Sequence, residues 1–139
     1  MTAAAKVYEG SCLCRKVKFR VNGPLGSISN CYCTDCRKTH AAAFATYIET
    51  TRGNLTWVSG EKDLKSYRAE PGTMRAFCPN CGSTLVCWSE ADKDLIEISA
   101  SALDTPVEGK IEYHIFVRSK PSWYDILDGK PQHQTYPGK

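Results

Sequence analysis

The chain has 139 residues, enough for one domain with a substantial core and too few for two. Its formal net charge is +3, and no run of lysine and arginine exceeds two residues, so the basic stripe typical of a nucleic-acid-binding protein is missing. No segment approaches the roughly 18 apolar residues of a membrane helix, and the amino terminus lacks the apolar core of a signal peptide. We therefore expect a single domain over residues 1–139, ordered from about 6 to 130, with neither a membrane nor a nucleic-acid partner.

Short strands separated by turn residues make up most of the pattern. Lys16 to Val21 alternates polar and apolar residues, as a half-buried strand does. Six further segments have a similar character: 44–50, 55–58, 73–77, 84–88, 95–99 and 113–117. Turn signals such as Asn22-Gly23-Pro24 and Pro71-Gly72 lie between them. This spacing predicts a mainly β fold of antiparallel strands.

Little helix is expected. The one candidate is a short segment from Thr34 to Ala42, and the last residues, from Pro131 to Lys139, are predicted to form a loop that fades into disorder.

Seven of the eight cysteines fall into three tight clusters. Cys12-Leu13-Cys14 is a C-x-C motif, residues 31–36 (CYCTDC) form C-x-C-x-x-C, and Cys78-Pro79-Asn80-Cys81 is a C-x-x-C turn followed by Gly82. Thiolates one or three residues apart can converge on a single ion, and zinc prefers such soft tetrahedral sites. The clusters therefore point to metal binding.

Disulfide bonds are the alternative use of these cysteines. Eight cysteines amount to about 6% of the chain, below the roughly 8–10% of a disulfide scaffold. A reducing cytoplasm is the expected location, and clustered cysteines there favour metal over disulfides. Seven thiolates with two Zn²⁺ would also bring the formal charge from +3 to zero, which removes the apparent basic balance.

Pairing the first cluster with the third gives a closed site of four sulfurs, Cys12, Cys14, Cys78 and Cys81. The middle cluster then offers three sulfurs, Cys31, Cys33 and Cys36. A closed site is structural, whereas three protein ligands leave a position for water or substrate. We expect two Zn²⁺ per chain, one structural and one catalytic. The alternative is a second structural zinc, completed by Cys87, His40 or Asp35.

Each of these three residues also has an ordinary role. Cys87 lies in an apolar strand segment and fits a small buried side chain. His40 follows the middle cluster by four residues, where it can shuttle a proton, join the metal or simply be polar. Asp35 is expected to cap the turn that follows it.

Two segments near the carboxyl terminus combine aromatic, cationic and hydroxyl side chains: His114-Ile115-Phe116, and residues 119–125 (SKPSWYD). This mixture suits the wall of a pocket for a small polar ligand. The alternative is an edge strand and a loop packed on the core, with Trp123 as filler. Participation of His114 in chemistry stays open.

Taken together in this order, the cysteine motifs resemble those of the glutathione-dependent formaldehyde-activating enzyme family, which includes a centromere protein V-type branch. The resemblance runs from about Tyr8 to Asp128. It implies a zinc-stapled Mss4-like fold, with a structural zinc at Cys12, Cys14, Cys78 and Cys81. It also implies a catalytic zinc at Cys31, Cys33 and Cys36. The chain departs from the family pattern at Arg15-Lys16, where a small pair is common, and at Ala41, where a glycine often stands.

The activity implied by the resemblance is that of a carbon–sulfur lyase. The reaction that names the family joins the thiol of glutathione to formaldehyde, giving S-(hydroxymethyl)glutathione. We therefore expect a monomeric or homodimeric cytoplasmic enzyme acting on a thiol adduct of a small aldehyde. The alternatives are a non-catalytic zinc module that binds a protein or nucleic acid, and a related thiol-detoxifying enzyme with another substrate.

Overall fold

The computed structural model describes residues 6–139, and these residues form mainly β-strands. The strands, in chain order, are β1 (Val7–Ser11), β2 (Lys18–Asn22), β3 (Ile28–Cys31), β4 (Ala45–Thr51), β5 (Leu55–Ser59), β6 (Lys65–Ala69), β7 (Thr73–Phe77), β8 (Thr84–Ser89), β9 (Asp92–Ser99) and β10 (Tyr113–Ile115). The α-helix of the described residues is α1 (Thr34–His40). The predicted mainly β class with little helix is confirmed.

The chain divides into two compact units. The first comprises residues up to Gly26 together with Ile48–Glu108, and the second comprises Ser27–Tyr47 and Gly109–Lys139. No helix within residues 6–139 is both long enough and apolar enough to cross a membrane.

In the first unit the strand pairs β1–β2, β2–β5, β6–β7, β7–β8 and β8–β9 are antiparallel. Its core is an apolar cluster that includes Val17, Phe19, Leu85, Ile96 and Ile98, each with at most 1% of its surface exposed. Burial of such side chains is the main favourable term in folding. The sulfur-bearing residues Cys12 and Cys78 belong to the same cluster. The first and third cysteine motifs are therefore anchored in the core.

In the second unit β3 and β10 pair in parallel, with Ile115 opposite Cys31. The antiparallel prediction was therefore wrong for this pair. Such strands need a long connection, and the residues between β3 and β10 provide it. The final residues add to β10, because the His133 N–H donates to the His114 carbonyl and the His114 N–H donates to the Pro131 carbonyl, both at 2.9 Å. The end of the chain thus pairs with β10 as far as these residues.

Helix α1 follows β3 after a two-residue link and ends two residues earlier than predicted. Its amino terminus is capped by Cys33, whose Sγ accepts a hydrogen bond from the Cys36 N–H. The capping role expected of Asp35 was wrong, since Asp35 lies inside the first turn. The helix ends at His40, and the residue that caps it, Ala41, has a left-handed φ of 50°. Glycine adopts that conformation without strain, so the glycine expected here from the family resemblance would suit this position better than alanine does.

Candidate functional site

The first and third cysteine motifs converge in the first unit. The sulfurs of the four-sulfur cluster (Cys12, Cys14, Cys78 and Cys81) all lie within 4.8 Å of one another. The Cys12–Cys14 sulfur distance is 3.6 Å and the Cys14–Cys78 distance is 3.8 Å. A tetrahedron with Zn–S bonds of about 2.3 Å has S–S edges of about 3.8 Å. The cluster can therefore hold a metal ion, and its spacing fits zinc.

A tight turn presents the first two sulfurs. The Arg15 N–H donates to the Cys12 carbonyl at 3.0 Å, and Arg15 adopts a left-handed φ of 67°. The Val17 N–H donates to the Cys12 sulfur at 3.3 Å. Left-handed backbone is costly for a side chain larger than glycine, so the fold holds Arg15 there against a local preference.

A knuckle between β7 and β8 presents the other two sulfurs. The Gly82 N–H donates to the Cys78 carbonyl at 2.7 Å, and Gly82 has a φ of 79°, which glycine tolerates. The Ser83 hydroxyl lies 3.3 Å from the Cys81 sulfur and accepts a hydrogen bond from the Leu13 N–H at 2.9 Å. Ser83 therefore ties the knuckle to the first motif.

The pKa values of these thiols are shifted in different directions. Hydrogen bonds from Ser83 lower the pKa of the Cys81 thiol to about 5, and Asn80 lowers the pKa of Cys14. Burial instead raises the pKa of Cys78 to about 11. Because a divalent cation favours the thiolate at every position, it would remove the cost of ionising the buried sulfur.

The middle motif brings three sulfurs together in the second unit. The sulfurs of this three-sulfur cluster, Cys31, Cys33 and Cys36, lie within 4.8 Å of one another. Cys31 ends β3, Cys33 caps α1 and Cys36 lies in the first turn of α1. Across residues 6–139 no histidine, cysteine, aspartate or glutamate adds a fourth ligand atom to this group within that distance. The cluster can hold a metal ion through three sulfurs.

These three thiols disfavour ionisation when they face only one another. Hydrogen bonds from Cys33 and Cys36, followed by burial, raise the pKa of Cys31 far above its ordinary value. Adjacent negative charges in a poorly solvated site repel each other unless a cation balances them. The donor set therefore fits a soft divalent ion such as Zn²⁺.

Two of the residues considered as a fourth ligand lie outside the three-sulfur cluster. Cys87 is buried in β8, opposite Glu97 of β9 and Arg75 of β7. Asp35 lies in the first turn of α1 and is exposed. Neither contributes an atom to the metal-binding groups found among the described residues.

His40 reaches the cluster indirectly, through Tyr47 of β4. The His40 Nε2 lies 3.2 Å from the Tyr47 hydroxyl, which lies 3.7 Å from the Cys36 sulfur. Tyr47 is a functional candidate that the sequence reasoning missed, because it reads as an ordinary residue of an alternating strand.

Two buried polar side chains and one exposed carboxylate from distant parts of the sequence also meet in this unit. The Tyr32 hydroxyl lies 3.0 Å from the His114 Nδ1, and the His114 Nε2 lies 2.9 Å from an Asp128 carboxylate oxygen. The carboxylate can only accept, so Nε2 carries a proton. In the neutral imidazole Nδ1 then accepts from the Tyr32 hydroxyl. His114 thereby fixes the side chain of Tyr32, the residue between Cys31 and Cys33.

The Asp128 contact predicts a pH-dependent stability. The Lys130 N–H and His114 hold the pKa of Asp128 below its ordinary value. A carboxyl with a lowered folded pKa stabilises the fold above its unfolded pKa, and this contribution is lost as the pH falls through the folded pKa. We expect Asp128→Asn to lower the melting temperature at pH 7, and the difference from the unsubstituted protein to shrink below about pH 4.

Calorimetric unfolding between pH 3 and pH 7 measures that difference. Asp125→Asn, which changes an exposed carboxylate in the same loop, is the matched control. A melting-temperature difference for Asp128→Asn that stays constant over this range would contradict the coupling to His114.

The carboxy-terminal loop only partly matches its predicted roles. Trp123 is 70% exposed, so its role as core filler was wrong. Tyr124 instead packs against Phe44, with ring centroids 5.4 Å apart. The Lys120 Nζ donates to the Tyr124 carbonyl. From α1, the Arg37 Nη1 donates to the Ser119 carbonyl at 3.0 Å. The charged groups of Lys120 and Arg37 therefore donate hydrogen bonds to backbone carbonyls of this loop.

Asp128 and Tyr32 could not have been selected from the sequence. Asp128 lies near Gly129 in a loop with no periodic pattern, and it meets His114 only because the chain folds back on β10. For Tyr32, its position between two cysteines of one motif was the one feature of the sequence that placed it near the site, and this did not indicate its contact with His114.

Comparison with known proteins assigns the family. The family model described as glutathione-dependent formaldehyde-activating enzyme matches residues 7–119. A Halomonas elongata protein, provisionally named a glutathione-dependent formaldehyde-activating enzyme, is 32% identical over 141 residues, with 95% of this chain and 88% of the relative covered. A Schizosaccharomyces pombe protein named as an uncharacterized lyase is 26% identical over 121 residues, with coverage of 87% and 86%.

Among solved structures, a crystal structure of a Rhodobacter sphaeroides protein shares the fold. The TM-score is 0.61 at 20% identity, covering 74% of this chain and 96% of the other. The match of the family model spans most of the chain and includes all seven clustered cysteines. This chain belongs to the glutathione-dependent formaldehyde-activating enzyme family.

Proposed function

We propose that the protein is a zinc-dependent carbon–sulfur lyase-type enzyme that acts on the thiol adduct of a small aldehyde, as S-(hydroxymethyl)glutathione synthase does. The observation that carries the proposal is the three-sulfur cluster, which has no fourth protein ligand atom within 4.8 Å among the described residues. Three protein ligands with one open position are typical of catalytic zinc. The four-sulfur cluster would hold the second, structural zinc.

The proposed reaction forms one C–S bond. The thiol sulfur of glutathione attacks the carbonyl carbon of formaldehyde, the C=O π pair moves to oxygen, and the proton lost from sulfur ends on that oxygen. When bound, Zn²⁺ supplies Lewis acidity and lowers the pKa of a thiol at the open position.

The residues of the chain would prepare this site. Cys31, Cys33 and Cys36 would hold one side of the metal, and β3 and α1 fix their positions. Arg37 follows Cys36 directly and donates one guanidinium hydrogen bond to the Ser119 carbonyl, which holds its side chain against the loop after β10. Glutathione carries two carboxylates, and arginine suits carboxylates through its planar fork of donors. Lys120 is another cationic candidate from the same unit, and it is already engaged with backbone carbonyls.

A cytoplasmic location accompanies the proposal. None of the eight cysteines, all of which lie within residues 6–139, forms a disulfide bond, which agrees with a reducing compartment. We propose glutathione as the small-molecule partner, in a monomer or homodimer.

Binding of glutathione to the zinc-loaded protein tests the proposal. Because a metal-bound thiol is deprotonated, binding at pH 7 should release close to one proton per thiol. Calorimetry in buffers of different ionisation enthalpy measures the released proton. S-methylglutathione is the matched control, since it keeps both carboxylates and has no thiol proton. Absence of binding at millimolar glutathione would rule out this substrate, and binding without proton release would rule out the thiolate at the metal.

A further inference from the structure

We propose that Tyr47, held in place by His40, is a positioning residue that donates a hydrogen bond to the Cys36 thiolate and thereby sets how strongly this sulfur donates to the metal. The inference rests on the metal proposed for the three-sulfur cluster. In this arrangement His40 contacts Tyr47, which contacts the proposed ligand Cys36, and His40 is not itself a metal ligand.

The Tyr47 side chain lies between Cys36 and His40. Tyr47 lies in β4 with 3% of its surface exposed, so its hydroxyl depends on protein partners. The hydroxyl oxygen is 3.7 Å from the Cys36 sulfur and 3.2 Å from the His40 Nε2. The two rings meet edge to face, with an interplanar angle of 88° and centroids 5.5 Å apart. His40 therefore restrains the tyrosine ring as well as its hydroxyl.

Metal binding fixes the direction of both hydrogen bonds. A metal-bound Cys36 is a thiolate without a proton, so it can only accept. The single proton of the Tyr47 hydroxyl then points to the sulfur, and the hydroxyl oxygen accepts from the His40 Nε2–H. The chain of donors runs from His40 through Tyr47 to Cys36. Both the neutral Nε2–H tautomer and the imidazolium satisfy it.

A hydrogen bond at this sulfur has a chemical consequence. Three thiolates around Zn²⁺ leave a net charge of −1, which weakens the Lewis acidity of the ion. A donor at Cys36 draws electron density from that sulfur, and hydrogen bonds to charged acceptors are about twice as strong as neutral ones. Cys33 receives a comparable bond from the Cys36 N–H at 3.2 Å, but from the backbone. The bond from Tyr47 is a contribution that substitution can remove.

Tyr47→Phe removes the donor and keeps the ring. Mild chelation of the zinc-loaded protein empties the three-sulfur cluster and leaves Zn²⁺ in the tighter four-sulfur cluster, and the protein is then titrated with Co²⁺. Loss of the hydrogen bond raises the energy of the sulfur lone pairs, so the sulfur-to-cobalt charge-transfer band should move to longer wavelength. The dissociation constant for Co²⁺ should rise by about 10–100-fold, as is common when a group that orients a metal ligand is removed.

Two further variants separate this effect from general destabilisation. Tyr113→Phe deletes the hydroxyl of a half-buried tyrosine in the same unit, whose ring packs against His133. Its charge-transfer band should match that of the unsubstituted protein. His40→Phe alters a half-buried residue at the end of α1 and should move the band in the same direction as Tyr47→Phe, by less.

The outcomes are distinguishable. Co²⁺ bound at the three-sulfur cluster with an unchanged band and affinity in Tyr47→Phe would overturn the role of Tyr47 and leave the proposed function standing. If Tyr47→Phe does not fold, an unchanged band in His40→Phe overturns it in the same way. Failure of the unsubstituted protein to bind any second equivalent would overturn both this inference and the proposed metal site.

Discussion

Replacement of Cys12 by serine is expected to leave the protein unfolded or insoluble. Cys12 has 2% of its surface exposed, lies in the core of the first unit and contributes one of four converging sulfurs. Structural zinc contributes about 10–16 kcal/mol of apparent binding energy in small zinc domains. The free energy of unfolding of a whole domain is only about 5–15 kcal/mol. Loss of one ligand from this site therefore removes most of the stability, and Cys81→Ser should behave alike.

Circular dichroism and the yield of soluble protein measure this effect. Cys87→Ser is the matched control, because Cys87 is also a buried cysteine but belongs to neither sulfur cluster. Burying a hydroxyl there should cost about 1–3 kcal/mol and leave the protein folded. A Cys12→Ser protein that is folded and melts like Cys87→Ser would contradict a metal at the four-sulfur cluster.

Replacement of Cys33 by serine is expected to leave the protein folded but without enzymatic activity, in contrast to Cys12→Ser. Cys33 caps α1 through its sulfur, and serine is a preferred capping residue, so the helix start should survive. The three-sulfur cluster loses a ligand, and bound zinc should fall from two ions per chain to one. Formation of S-(hydroxymethyl)glutathione should fall at least about 100-fold, since removing a metal ligand exceeds the 10–100-fold cost of losing an outer partner.

Metal analysis, circular dichroism and an assay of the adduct test this variant together. Mild chelation of the unsubstituted protein should reproduce the one-zinc state, because three thiolates hold zinc less tightly than four. A Cys33→Ser protein that unfolds as severely as Cys12→Ser would instead indicate that both metals are structural.

Features encoded by local patterns were predictable from the sequence. The strand at Lys18–Asn22 and its neighbours follow alternation, and the cysteine motifs follow spacing alone. Strands β1, β3 and β6 were missed because none shows a clean alternation of apolar and polar residues in its sequence. All four residues of Ile28–Cys31 are buried, whereas Lys65–Ala69 is exposed over its first four. A segment that is buried throughout, or exposed over most of its length, lacks the alternation that distinguishes a strand from a loop.

Contacts between distant residues were not predictable. The parallel pairing of Tyr113–Ile115 with β3 depends on the chain returning to that strand, which no local signal announces. The same return brings His114 to Tyr32 and Asp128. The link from His40 to Cys36 likewise passes through Tyr47, whose side-chain partners are set by packing. The candidate ligands could be selected from the sequence, but the groups that contact them from distant parts of the chain could not.

A crystal structure of the protein with zinc and glutathione tests the central claim most directly. Our account predicts a metal ion bound by Cys31, Cys33 and Cys36, with the glutathione sulfur as its fourth ligand at about 2.3 Å. A fourth ligand from the protein at that metal, with glutathione absent or bound elsewhere, would contradict it.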